Sequence, residues 1–329
     1  MEQFNRRQFV SAMAALGLGG VCLPVLAQNA FPNRPVKLYV GASAGGAPDA
    51  AARSMAKLLG ERWAYPMVVD NKPGLSGFLA AEVTAQSAPD GHSLCLLLDT
   101  VMNTVPLMSE KLPVDPLKDL KPIGMVGSFP LVLVANPSTG FRNLQQVVTA
   151  AKANAGAIDC ASSGIGSSGH VATEMFARAA GVKLNHIPYK GGLPALQGTV
   201  AGEVPMMWSS VGAALPLVNG GKLIAIAVAS AERFSLMPDV PTFHEQGYPN
   251  FTAGNWLGLM GPAALPEPLT QKIYGDVQSL ATNDAYRQTL LAQGIERRSM
   301  QSPELSRLIR TEYERNKALF ASLGIGPGK

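Results

Sequence analysis

Cysteine is scarce in this chain, with three in all, and only Cys95 and Cys160 remain once an N-terminal leader is set aside. An oxidising compartment would permit a bridge. Both residues, however, sit in apolar, strand-like runs (Leu94 to Leu98 and Ile158 to Ala161) assigned below to different domains, so free, buried thiols are expected. Charge is also thin: Asp, Glu, Lys and Arg make up 15% of the residues, aromatics 6%, and there is no run of Lys or Arg, which argues against nucleic acid as a partner. The four histidines lack metal-ligand spacing, and G-x-x-x-x-G-K-S/T, H-E-x-x-H and paired C-x-x-C motifs are missing. No metal and no cofactor is expected. After the first thirty residues no stretch is long and apolar enough to span a bilayer.

What is present is an ample apolar fraction, 47% of 329 residues, enough for two packed cores, with 34 glycines and 25 prolines spread along the chain as turn markers. Asn5-Arg6-Arg7-Gln8-Phe9, the apolar run Val10 to Leu26 and the small-residue exit Val25-Leu26-Ala27 read as a twin-arginine-like secretory signal over residues 1–27. The mature chain would begin near Gln28, outside the cytoplasm. Its balance is mildly basic, which fits an anionic ligand without requiring one.

Two stretches share one grammar. Val36 to Val40 reads as a strand, Gly41-Ala42-Ser43-Ala44-Gly45-Gly46-Ala47-Pro48 as a loop, and the alanine-rich run to Leu59 as a helix. Ala157 to Ser163 repeats the strand, Gly164-Ile165-Gly166-Ser167-Ser168-Gly169 the loop, and His170 onward the helix. A glycine-rich turn from strand to helix points free backbone N–H groups and the positive helix end into one small volume, which suits an anion. Two such units facing each other across a cleft could hold the two ends of a small acid.

Strands alternating with helices imply mostly parallel sheets covered on both faces. Ligands of such sheets bind beyond the carboxyl ends of the strands, so Ser43 to Gly46, Ser76-Gly77 and Asp99-Thr100 are expected on one rim. Two apolar runs between Ile123 and Val134 are separated by Gly127-Ser128-Phe129-Pro130. The organisation expected is a first domain over 28–130, a second over 131–229, and a return to the first over 230–329, with the two crossings acting as a hinge.

Gly41-Ala42-Ser43-Ala44-Gly45 also satisfies G-x-S-x-G, so a secreted α/β serine hydrolase using Ser43 is the competing reading. It is weakened because Gly45 to Pro48 intervene before the helix and no strand precedes the motif to supply the second oxyanion loop. Gly164-Ile165-Gly166 with Gly169 matches a dinucleotide fingerprint, but Lys183 and Asn185 stand where an acidic ribose ligand belongs. Among single residues, His92 reads as a surface group beside a Pro-Asp-Gly turn. His170 is placed to approach a bound anion or to cap its helix. Asp49 either stabilises a helix start or contacts ligand, and Tyr189 and Trp256 either wall the cleft or join the core.

Taken together, several segments are similar to the substrate-binding receptors of tripartite tricarboxylate transporters, the Bug-type periplasmic proteins. They are Phe31 to Val36, Gly45-Gly46 with Asp49 and Arg53, Val69 to Gly74, Ala88 to Gly91, Ser162 to His170, Ile187 to Gly192 and Leu236 to Thr242. The resemblance spans essentially the whole mature chain. It implies a two-lobed, class II periplasmic-binding-protein fold of α/β class, a small organic acid held by amides and ordered water, a membrane permease as partner, a monomeric receptor and no catalysis. Carried over position by position, Ser43 to Gly46 form the first clamp and Ser163 to Ser167 the second, with Tyr189 nearby; with the loop and rim residues added, the candidate ligand-binding residues are Ala42, Ser43, Ala44, Gly45, Gly46, Asp49, Ser76 and Thr100 on one side. Ser163, Gly164, Gly166, Ser167, His170, Tyr189 and Ser209 lie on the other. The chain departs from the family pattern at Gly41-Ala42-Ser43, at Leu75 to Phe78 and at Trp208-Ser209-Ser210, where an acidic residue is common. Loss of that acid disfavours ligands with an amino group and leaves di- and tricarboxylates, aromatic acids or neutral compounds.

Overall fold

Apolar runs with a two-residue period form strands covered on both faces. The computed structural model describes residues 31–74 and 77–327, so the expected signal segment and Ser76 lie outside the described residues. It opens with β1 (Val36–Val40), which sends Val36, Leu38 and Val40 into one core and Tyr39 into another. There follow α1 (Ala47–Trp63), β2 (Met67–Asn71), α2 (Phe78–Ala85), β3 (Ser93–Leu98), the short helices α3 (Thr100–Asn103), α4 (Val105–Met108) and α5 (Pro116–Asp119), and then β4 (Leu120–Ala135). The second half comprises α6 (Leu144–Ala153), β5 (Asp159–Ser162), α7 (Ser168–Ala180), β6 (Asn185–Pro188), α8 (Gly192–Ala201), β7 (Met206–Ser210), α9 (Val211–Asn219) and β8 (Ile224–Val228). The chain ends with β9 (Gly254–Pro262), α10 (Glu267–Ser279), α11 (Asp284–Ala292), β10 (Met300–Gln301) and α12 (Ser302–Leu323).

The strands lie in the order β2-β1-β3-β9-β4-β7-β5-β6, with β8 and β10 also on β4. The strands that precede the loops run parallel: β1 with β2 and β3, and β5 with β6 and β7. The sheets are mixed, because β4 and β9 pair antiparallel with their neighbours and carry the chain between the halves. The α/β class and the two-lobed class II arrangement hold.

One expected break is absent. The two runs flanking Gly127 to Pro130 form a single strand of 16 residues, with register shifts against β9 at Pro122/Gly124 and Met125/Gly127. The glycine there serves close packing rather than chain reversal: a Cβ on Gly127 would sit 2.6 Å from Ile295 Cγ2 and 2.8 Å from the Glu296 carbonyl. The chain also does not leave the second half just after Ala229. Phe234 and Met237 pack with Val132 and Val228, and Phe243 and Phe251 stack 4.5 Å apart beside Trp208. The return comes at Gly254, where the Leu131 N–H donates to the Ala253 carbonyl (2.9 Å), Ala253 N–H to Ala229 O (3.0 Å) and Ala229 N–H to Leu131 O (2.8 Å).

Cys95 and Cys160 are buried and free, in cores of different halves. His92 is buried, not superficial; it accepts the Asn33 N–H at Nε2 (3.3 Å) and packs edge-on against Phe31. The C-terminal α12 starts in the first half, with Leu305 and Ile309 near Leu97, and ends against the second, with Leu319 and Phe320 on Val171 and Met175. Among the described residues no helix is long and apolar enough to cross a membrane.

Candidate ligand-binding cleft

The carboxyl ends of the parallel strands converge on one cleft of about 610 Å³ between the halves. β1 delivers Gly41, Ala42 and Ser43, and β3 delivers Leu98 and Thr100. From the other side β5 leads into Ser163, Ile165, Gly166 and Ser167, β6 into Gly192 and Leu193, and β7 into Ser209 and Ser210. This is the position a doubly wound topology provides for a ligand. Trp208, Asn255, Thr104 and Met108 complete much of the wall.

Among the described residues, the lining contains no Asp, Glu, Lys, Arg or His. Its electrostatics come from the backbone. The first residues of α7 (Ser168, Gly169) and α8 (Gly192, Leu193) and the N-cap of α9 (Ser210) all border the cleft, so three helices of the second half present their positive ends to it. Among the described residues, the N–H groups of Ala42, Ser43, Ser163, Ile165, Ser168 and Gly169 have no protein acceptor. Leu98, Val105, Met108, Phe129, Leu131, Leu196 and Met207 give the rest of the lining an apolar character.

Seven of the expected residues border this cleft: Ala42, Ser43, Thr100, Ser163, Gly166, Ser167 and Ser209. Others support it from behind. The Gly45 N–H donates to Asp49 Oδ2 (2.9 Å), and the same carboxylate takes Arg53 Nε (2.9 Å) and Asn71 Nδ2 (2.9 Å). Burial opposes ionisation of Asp49, but these hydrogen bonds outweigh it and hold the carboxyl below its ordinary range. Gly46 N–H turns back to Ser43 O (3.4 Å), and Ala44 lies in the same exposed turn.

In the second loop the Gly166 N–H donates to His170 Nδ1 (3.1 Å), and the Gly164 N–H donates to Ser162 Oγ (3.1 Å). That hydroxyl is 2.6 Å from His186 Nε2, and the His186 ring stacks on His170 with centroids 3.9 Å apart. Burial keeps both imidazoles neutral, pushing each down to about 4. Tyr189 turns outward to Glu203 (3.2 Å), and Trp256 lies behind the cleft, where its Nε1 donates to Glu312 (2.9 Å). The contributions of Asn255, Phe129 and Met108 carry no sequence signal, because they come from the crossing strands and from short helices without periodicity.

The model of the tripartite tricarboxylate transporter family receptor, TctC, matches residues 51–325. Protein BugT of Bordetella pertussis is 33% identical over 287 residues, covering 86% of this chain and 88% of that protein. Among solved structures, "R. palustris Rpa4515 with adipate" superposes with a TM-score of 0.80 at 26% identity, over 90% of this chain and 99% of that one. MatC from Rhodopseudomonas palustris with bound malate gives 0.74 at 29% identity, over 88% and 99%. With the family match spanning the greater part of both halves, the chain belongs to the tripartite tricarboxylate transporter receptor family, TctC.

Proposed function

We propose that this protein is exported to the periplasm with loss of its leader near Ala27, and there, as a monomer without catalytic activity, captures a small organic carboxylate. The ligand, a di- or tricarboxylate or an aromatic acid, is handed to the membrane permease of a tripartite tricarboxylate-type transporter. One observation carries the reading: a cleft that takes no charged side chain from the described residues is faced by three helix N-termini and by loop amides unpaired among those residues. A carboxylate entering it exchanges water for N–H donors and positive helix ends, whereas an ammonium group would meet no carboxylate. Adipate and malate are the ligands named for two relatives.

The lobes in this reading are 31–130 with 254–327, and 131–253. A ligand touching both stabilises only the shut form, and so drives closure. The competing hydrolase would need a base beside Ser43. His170 and His186 are instead stacked on each other and bonded to Gly166 and Ser162. Ser162, the serine that does meet a histidine, is fully buried.

A melting-shift screen of the mature protein with dicarboxylates, tricarboxylates, aromatic acids and amino acids tests the reading. A carboxylate at a hundredfold excess over its Kd should stabilise by about 2.7 kcal/mol, and amino acids should give no shift. Turnover of a chromogenic ester that vanishes in Ser43→Ala, with no carboxylate shifting the melt, would establish the hydrolase instead.

A further inference from the structure

The two glycine-rich loops are built on the same hydrogen-bond plan. Gly46 is the N-cap of α1 and Ser167 the N-cap of α7. The residue just before each cap, Gly45 or Gly166, has a left-handed backbone, with φ of +84° and +76°. In both loops the N–H of that glycine is taken by the side chain at the third helical residue: Asp49 Oδ2 at 2.9 Å and His170 Nδ1 at 3.1 Å. A carboxylate and an imidazole thus do one job at equivalent places in two unrelated stretches of sequence.

Each acceptor is braced from behind. Asp49 is held by Arg53 on its own helix and by Asn71 at the end of β2, and Asn71 also donates to the Ala42 carbonyl (3.1 Å). His170 is sandwiched between His186 of β6 and Phe320 of α12, with centroids 3.9 and 6.3 Å away. Neither Asp49 nor His170 borders the cleft, whereas Ser43, two residues before Gly45, and Ile165, just before Gly166, do.

We infer that Asp49 and His170 are the paired positioning residues of the two lobes. Each accepts the N–H of the glycine before the helix cap and so fixes the turn that leaves the neighbouring donors facing the ligand. The inference rests on the carboxylate-binding reading for its effect on affinity, but the hydrogen bonds themselves can be observed without ligand. It reassigns both residues from ligand contact, as the sequence suggested, to loop shaping.

Because Asp49 does from the third helical position what His170 does, an amide there supplies the same acceptor. His170→Asn and Asp49→Asn should keep the loops in shape, and His170→Ala should not. Amide hydrogen exchange on the free protein should show Gly45 and Gly166 protected, Ser43 and Ile165 exchanging, and protection of Gly166 lost in His170→Ala but kept in His170→Asn. Adipate is the probe ligand. Its affinity should fall about tenfold in His170→Ala, the expected effect of an orphaned donor, and recover in His170→Asn.

Acid separates positioning from mere packing. Protonated His170 cannot accept from Gly166, so the wild type should lose adipate affinity towards pH 4 more steeply than His170→Asn. Titration of adipate and of Glu174 on the same helix is common to both proteins and cancels in the comparison; His186, whose own titration the stacked His170 lowers, is removed from it by making both measurements in a His186→Asn background. Rapid exchange at Gly45 and Gly166 in the wild type, or undiminished affinity in His170→Ala with Gly166 unprotected, would overturn the inference. Protected glycines in a wild type that binds no carboxylate would support the loop-shaping role while overturning the carboxylate reading. Asp49→Ala should likewise lose Gly45 protection; should it fail to fold, Asp49→Asn retains the acceptor and decides that half: Gly45 protection retained supports it, and protection lost overturns it.

Discussion

Asp99 departs furthest from the ordinary chemistry of its type. It is buried at the end of β3, and its longest-reaching partners are Asn103 Nδ2 and the Trp256 N–H, both at 3.4 Å. Burial first, and then the charge of Glu312, push its carboxyl up to about 8. The folded protein therefore keeps a proton that the unfolded chain releases, and the stability this group contributes is full below the ordinary carboxylate range and lost as pH rises towards 8. Asp99→Asn keeps an acceptor without the charge. It should gain about 1–3 kcal/mol over the wild type near pH 9 and little near pH 4, as read by denaturant unfolding; an equal gain at both pH values would contradict this account. Cys95 and Cys160 carry a simpler expectation: burial pushes both thiols up to about 12, so a thiol reagent should label neither in the native protein and both after unfolding. At this scale residue type was readable and direction was not. Glycines, serines, Asp49 and His170 announce a polar loop, but which N–H faces ligand and which faces Asp49 depends on the left-handed turns at Gly45 and Gly166. His92 misled because its neighbours signal a turn, while Phe31, distant in sequence, covers it.

Elements with a clear period were legible; those fixed by long-range packing were not. β1, α1, β5 and α7 follow from alternation and from glycine and proline punctuation. β4 was split by its own glycines, and the stretch from Ser230 to Ala253, held by Phe234, Phe243 and Phe251, has no period to read. Helix caps give a test of how local structure and binding divide. Asn143 caps α6 by accepting from the Gln146 N–H (3.0 Å), far from the cleft, and Ser167 caps α7 by accepting from His170 N–H (3.3 Å) at its edge. Each change to Ala should cost about 1 kcal/mol of stability. Only Ser167→Ala should also weaken binding of a carboxylate ligand, because α7 aims its N-terminus at the cleft; calorimetric titration of both variants beside their melting curves checks the distinction.

Two crossings join the halves, β4 at Pro130-Leu131 and the entry to β9 at Ala253-Gly254, bound to each other and to the end of β8. Neither crossing carries a sequence signal beyond Pro130 and Gly254 themselves, since what sets them apart is their adjacency, which no local pattern encodes. Gly166 of one half lies against Thr104 and Met108 of the other, and α12 spans the same gap through Leu319 and Phe320. In the closure proposed above, the bending falls where the strands cross. At Gly254 a Cβ would lie 2.6 Å from the Phe129 carbonyl and 3.1 Å from Pro130 Cα, so any larger residue forces the two strands apart. Gly254→Ala should lose about 1–3 kcal/mol of stability. It should also bias the protein open, so that small-angle scattering shows less contraction on adding a saturating carboxylate than in the wild type. Contraction equal to wild type with stability reduced would place the bending elsewhere, while unchanged stability would show that the crossing strands slide past the added methyl.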